Sequence, residues 1–163
     1  MSGIMLRHLV ATLAYRSAKV LRDAPADFGT FQVAPAARRP VQIVAHMADL
    51  MSWAVTLANG DYVWKAEGGE DWDTEVGRFF ERLATLDAAL ERGALPGAAE
   101  EKLVQGPLAD ALTHVGQLAI LRGVAGAPVR PESYARADIV VGRVGLAQSA
   151  PVREFDGDAS ARA

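Results

Sequence analysis

Three side chains in this sequence have the types and the spacing to hold a metal ion. Asp110 and His114 lie four residues apart in the segment GPLADALTHVGQLAILRGVAG, residues 106–126. Residues three or four apart are neighbours on a helix surface, about 5–6 Å between Cβ atoms, so this carboxylate and imidazole can aim at one point. His46 belongs to a different segment, in line with Ile43, Leu50, Trp53 and Leu57 at spacings of three and four. It therefore lies on an apolar stripe and not on a solvated face. If the two segments face each other, two imidazoles and one carboxylate converge. Such a donor set binds a divalent metal and leaves coordination positions open for water or substrate. Gln117, Asp49 and Gln42 are near enough in sequence to orient the ligands through hydrogen bonds.

The same residues admit a plainer reading. Asp110 stands close to a helix start, where the macrodipole favours a carboxylate whatever its chemistry. His46 can be a core histidine bonded to a backbone carbonyl, and His114 can simply pair with Asp110. Other chemistries find less support. His8, beside Met5 and Thr12, is expected to face solvent, and Trp53, Trp64 and Trp72 read as packing residues, with Trp53 alone on the site-bearing stripe. Ser52 shares a helix with His46 but points about 120° away from it at roughly 100° per residue. The glycines mark helix ends and turns and form no phosphate-cradling motif. No general base is identified.

The elements that must position these groups are four amphipathic helices, near 4–22, 40–58, 72–92 and 107–125. In the first, Ile4 or Met5, Leu9, Leu13, Ala14 and Val20 form the apolar stripe, and Asp23-Ala24-Pro25 ends it. Residues 26–39 cross the end of the bundle, with Phe28 and Phe31 packing down. Pro40 opens the second helix and Asn59-Gly60 stops it. After a connection rich in Gly and charge, Asp71 or Asp73 caps the third, whose buried face is Val76, Phe79, Phe80, Leu83, Leu86 and Leu90. Residues 98–105 have room for a short helical turn. Gly106-Pro107 opens the fourth helix, because proline at the first helical position has the right φ and needs no N–H partner. Leu108, Leu112, Val115, Leu118 and Leu121 carry its apolar spacing, and Gly126 closes it. The pattern then changes: 129–144 reads as an irregular strap over the bundle with Ile139-Val140-Val141 suited to one short strand, and residues from Pro151 onward as a surface tail. The expected fold is all-α, a four-helix bundle forming one domain over 1–163.

Bulk properties exclude several classes. A chain of 163 residues is long enough for a core without covalent staples. Half of it is hydrophobic and 23% charged, ordinary values for a globular domain. The net charge of −3 argues against nucleic-acid binding, which needs a basic surface. With no cysteine, disulfides, thiolate zinc sites and cysteine nucleophiles are excluded. No apolar run reaches the roughly 18 residues of a membrane span, and the first residues show no signal-peptide pattern. A cytoplasmic protein with no membrane partner is expected.

Two motifs point further. AHMADLMSWAV around His46, followed some seventy residues later by DALTHVGQLAILR around His114, resembles the DinB/YfiT-like superfamily. The resemblance runs from the first helix to the end of the fourth. It implies a four-helix bundle in which three histidines commonly bind a divalent metal such as zinc or nickel, the last helix usually carrying His-x-x-x-His. Here Asp110 occupies the first of those two positions and His114 the second. Relatives of this kind include low-molecular-weight-thiol S-transferases and a mycothiol-dependent maleylpyruvate isomerase, while others are associated with stress or damage responses. The resemblance thus implies a metal-dependent transferase or hydrolase acting on a small molecule. The alternative is a non-catalytic bundle working as a dimeric binding module.

Overall fold

Pro40 opens the helix that packs against most of the others, α2 (Pro40–Ala58). The proline takes the first helical position, and the Arg39 backbone N–H donates to Gln42 Oε1 at 3.0 Å, so the helix entry is capped from within. At the other end Gly60, at φ 90°, adopts the left-handed conformation that turns the chain out of the helix. A computed structural model describes residues 3–93 and 95–155, and over them the chain is helical with no named strand. The other helices are α1 (Gly3–Leu21), α3 (Trp72–Glu91), the short α4 (Ala99–Leu103) and α5 (Ala109–Val124). Asp71 caps α3, accepting from the Thr74 backbone N–H at 2.8 Å.

α2 packs against α3 and α5, and α1 packs against the same two helices from the other side. Leu13, Met47, Met51, Phe79, Leu83, Leu86, Leu108 and Leu118 are fully buried at the centre. Each such side chain contributes about 1.5–3 kcal/mol by leaving water. α2 is long and apolar enough by composition to cross a membrane, but most of it is enclosed by its neighbours, as in a bundle's core helix. The expected stripe of α1 holds at Leu13, Ala14 and Val20, which are buried, but not at its start. There Ile4 and Met5 are exposed, and Leu6 and Val10 face the core, joined further along by Ser17. Arg7 is the reason this register works: its guanidinium donates to both Asp87 oxygens, at 2.9 and 2.8 Å, and so fixes α1 against α3.

The fourth long helix begins differently from the expectation. α4 runs into a wide turn over Val104–Leu108, where Gly106 leaves the helical region and Pro107 has no N–H to offer. A regular helix resumes at Ala109. The Trp53 ring lies 3.4 Å from the place a Cβ on Gly106 would take, so the kink lets α2 approach closely here. This kink sets the first turn of α5, and with it Asp110, beside α2.

The far ends of α1 and α5 are tied by one side chain. Arg122 is buried, and its guanidinium donates to the carbonyls of Val20, Arg22, Asp23 and Ala127. These are carbonyls that a helix end leaves without partners, including those around Asp23, whose φ of 55° is left-handed. Arg122→Met should therefore lower the unfolding free energy by about 2–3 kcal/mol, since several buried acceptors lose their donor at once. A shift of the urea midpoint with unchanged slope measures it.

The C-terminal strap lies over the bundle, but without the expected strand at Ile139-Val140-Val141. Val144 is buried, Ile139 packs on the core, and Val140 is exposed. What holds the strap is polar. Glu132 accepts from Tyr15 Oη at 2.8 Å and Lys19 Nζ at 2.9 Å, and Lys19 reaches Glu154 at 2.7 Å. Glu132 and Glu154 also form an isolated antiparallel bridge. Residues 151–155 are thus held to the bundle and are not a free surface tail; the rest of the expected tail lies outside the described residues.

Candidate metal centre

The middle of α2 and the first two turns of α5 bring the three expected residues together. His46 Nε2 lies 3.4 Å from Asp110 Oδ2, and His114 Nε2 lies 3.3 Å from Asp110 Oδ1. The two imidazoles meet nearly edge to face, with ring centres 5.0 Å apart. One donor atom from each residue can be chosen so that all three lie within 4.8 Å of one another. His114 is buried, while His46 and Asp110 are partly exposed, so the group forms the floor of an open recess.

The residues fit a divalent cation by the chemistry of the donor set. Ligands about 2.1 Å from a tetrahedral ion stand roughly 3.4 Å apart. Each imidazole already stands at about that distance from one of the two Asp110 oxygens. The donor atoms, all within 4.8 Å of one another, need to close by no more than about 1.4 Å. The ring tautomer also suits a metal. His114 Nδ1–H donates to Gln117 Oε1 at 2.7 Å, which leaves the Nε2 lone pair facing Asp110 and His46. Burial comes first in lowering the His46 pKa below the ordinary 6.5, followed by repulsion from His114, against the opposing hydrogen bond to Asp110. At neutral pH His46 is thus an uncharged imidazole, the form that can ligate an ion.

The direction of that shift predicts a pH dependence. A base whose folded pKa is depressed takes up its proton first in the unfolded chain, so its stability contribution is present above the ordinary value. It is lost as pH falls from 6.5 through the lower folded pKa. Metal-free His46→Gln should accordingly show a flatter decline of unfolding free energy below pH 6.5 than the wild-type chain, measured by urea denaturation across a pH series.

Of the three expected orienting residues, only Gln117 plays that part. Gln42 caps α2, and Asp49 is engaged instead by α3. There Arg78 donates to Asp49 Oδ1 at 2.6 Å, to Glu75 and to the Ala45 carbonyl. Asp49 and Glu75 in turn accept from the backbone N–H groups of Glu67 and Gly69. This network pins the connection 61–71 onto α2. A Cβ on Gly68 would stand 2.6 Å from that of Ala45, so only glycine lets the loop lie this close.

The pinned loop carries Trp64 to the centre, which periodicity could not reveal. Trp64 is 47% exposed and is not a core packing residue. Its ring stands edge-on to His46 at 5.8 Å and to Trp53 at 6.0 Å, flanking the recess. A tryptophan with no apolar periodicity around it, in a loop of Gly and charge, was the available signal. On the opposite flank opens a cleft of about 390 Å³, bordered by Arg38, Ile43, His114, Gln117, Ile120 and Leu121. A larger recess of about 430 Å³ over Gly97–Gln105 includes none of the three donor residues. His8 is exposed on α1, as its position suggested.

No family model matches this chain, and neither a curated protein nor a solved structure matches it.

Proposed function

We propose that this chain is a divalent-cation-binding protein of the DinB/YfiT-like superfamily, and that the cleft beside its metal centre receives a small-molecule substrate. The observation that carries the reading is the meeting of His46, Asp110 and His114 from two helices around one point. The order of the helices and the His-x-Gly-Gln segment His114–Gln117 support the family assignment, with Asp110 standing where the family usually has a histidine. Imidazole donors suit zinc and nickel, and the carboxylate is compatible with both.

When bound, such an ion lowers the pKa of a thiol or water placed at an open coordination position. The chain's own residues do the rest. His114 presents its Nε2 lone pair, its tautomer fixed by Gln117, and His46 turns Nε2 toward Asp110. Asp110 supplies the one negative charge among the three, and Trp64 screens one flank from water while the cleft stays open on the other. The reaction class this arrangement supports is group transfer, of the thiol S-transferase type, or hydrolysis.

A second reading rests on a specific feature. Asp110 is already close to both imidazoles without an ion, so the three can serve as a structural polar unit in a non-catalytic, dimeric binding or stress-response protein; Ile120 and Val124 offer an exposed apolar face for a second copy. Cobalt-substituted protein separates the two. Adding 2-mercaptoethanol at neutral pH should produce a thiolate-to-cobalt absorption band, absent in His46→Ala. A cobalt spectrum indifferent to thiol and to azide would mean a closed site and favour the non-catalytic reading.

A further inference from the structure

The cleft on the open flank of the metal centre has a definite chemical character. Ile43, Ile120 and Leu121 give it an apolar wall, and Ile120 is 69% exposed although it borders the centre. At its rim stands Arg38. The neighbouring Arg39 donates to Glu70 at 2.5 Å. Arg38, by contrast, has no hydrogen bond and no acidic partner among the described residues, yet borders the same cleft as His114 and Gln117. The one carboxylate of the centre, Asp110, is turned toward the two imidazoles. The recess therefore offers a free guanidinium over an apolar surface, a combination that attracts anions and binds them by a forked pair of N–H donors. Its volume of about 390 Å³ lies within the range of small-molecule sites.

We propose that the cleft selects an amphiphilic anion: a small molecule whose carboxylate pairs with Arg38 while its apolar body lies on Ile43, Ile120 and Leu121. This deepens the reading of the centre as a small-molecule site and rests on it, because the carboxylate held at Arg38 leaves the rest of the molecule directed along the cleft toward His114. Arg38 is then the residue that determines specificity, and it takes no part in holding the ion. A guanidinium suits this role better than an ammonium, since its planar fork matches both carboxylate oxygens.

The test uses hexanoate and hexan-1-ol, which share an apolar chain and differ in the anionic end. Ligand-observed NMR titrations on the full chain, metal-free and zinc-loaded, give the two dissociation constants. Hexanoate should bind at least tenfold more tightly than hexan-1-ol in both forms. Arg38→Gln should remove that preference while leaving the affinity for hexan-1-ol and for zinc unchanged, and Arg92→Gln, an exposed cation beyond α3, should leave the preference intact. Equal affinity for the acid and the alcohol would overturn the proposal, as would a preference that survives Arg38→Gln. A preference seen only with zinc bound, and indifferent to Arg38, would show the carboxylate to be a metal ligand and would also overturn it. Because the metal-free arm needs no ion, a failure to bind zinc is recorded separately from a failure to bind the anion.

Discussion

His114→Ala is expected to weaken divalent-cation binding by more than about 100-fold, the largest effect of any single substitution at the centre. His114 is the buried donor, its tautomer is fixed by Gln117, and it shares Asp110 with His46. Losing a residue that merely orients a ligand typically costs 10–100-fold in affinity, so losing the ligand itself should cost more. The same scale orders the other variants. Asp110→Ala should be milder, because Asp110 is the most exposed of the three and both imidazoles remain. Gln117→Leu should weaken binding by about tenfold, since the His114 ring keeps its place but loses the acceptor that holds its proton on Nδ1. His8→Ala, on the exposed face of α1, should change nothing. Calorimetric titration of tag-free protein with zinc measures all four. Equal affinities for the wild-type chain and His114→Ala would remove this residue from the site.

The second large effect lies far from the metal centre. Lys19→Met should destabilise the fold by about 3–5 kcal/mol, because it strips the counter-ion from a carboxylate with no solvent access. The Glu132 side chain is fully buried and Lys19 is its only cationic partner among the described residues; Tyr15 remains as a donor but carries no charge. Burial lowers the proton affinity of the Lys19 ammonium, but the hydrogen bonds to Glu154 and Glu132 outweigh it and leave the pKa above the ordinary lysine value. A raised folded pKa means the stabilisation is fully present below the ordinary value of 10.5 and is lost only as pH rises through the raised one. A loss of 3–5 kcal/mol is a large part of the 5–15 kcal/mol typical of a domain. Urea denaturation of Lys19→Met and of Lys19→Met/Glu132→Gln separates charge from packing. The double variant should recover most of the loss. A deficit unchanged in the double variant would mean that packing of the lysine stem, and not its charge, holds the strap.

The centre was legible in the sequence because each half of it is local. Asp110 and His114 are one turn apart on one helix, and the spacing of His46 from Ile43, Leu50 and Leu57 placed it on the face of α2 that had to meet another helix. Periodicity carries information of that kind well. It failed where position depends on contacts distant in sequence. Trp64 reaches His46 only because Arg78, on α3, links Asp49 of α2 to the loop through Glu75. No regular pattern in 61–71 encodes that. The stripe of α1 departs from expectation at its start, where Ile4 and Met5 are apolar yet exposed, and at Ser17, which is polar yet buried. The strap was read as apolar from Ile139-Val140-Val141, but its anchor is Glu132 on Tyr15 and Lys19, more than a hundred residues away in the chain. Arg38 drew no attention beside Arg39 and Pro40, and its significance appears only once Arg39 is seen to be paired and Arg38 not.

The central claim is that two imidazoles and one carboxylate hold one ion through the Nε2 atoms of His46 and His114. Nitrogen-15 NMR of the histidine side chains during a zinc titration tests it most directly. The Nε2 resonances of His46 and His114 should move together and saturate at one equivalent, with His114 Nδ1 still protonated against Gln117 and His8 unaffected. Resonances of His46 and His114 that stay fixed through several equivalents, or a shift confined to one of the two rings, would contradict the account.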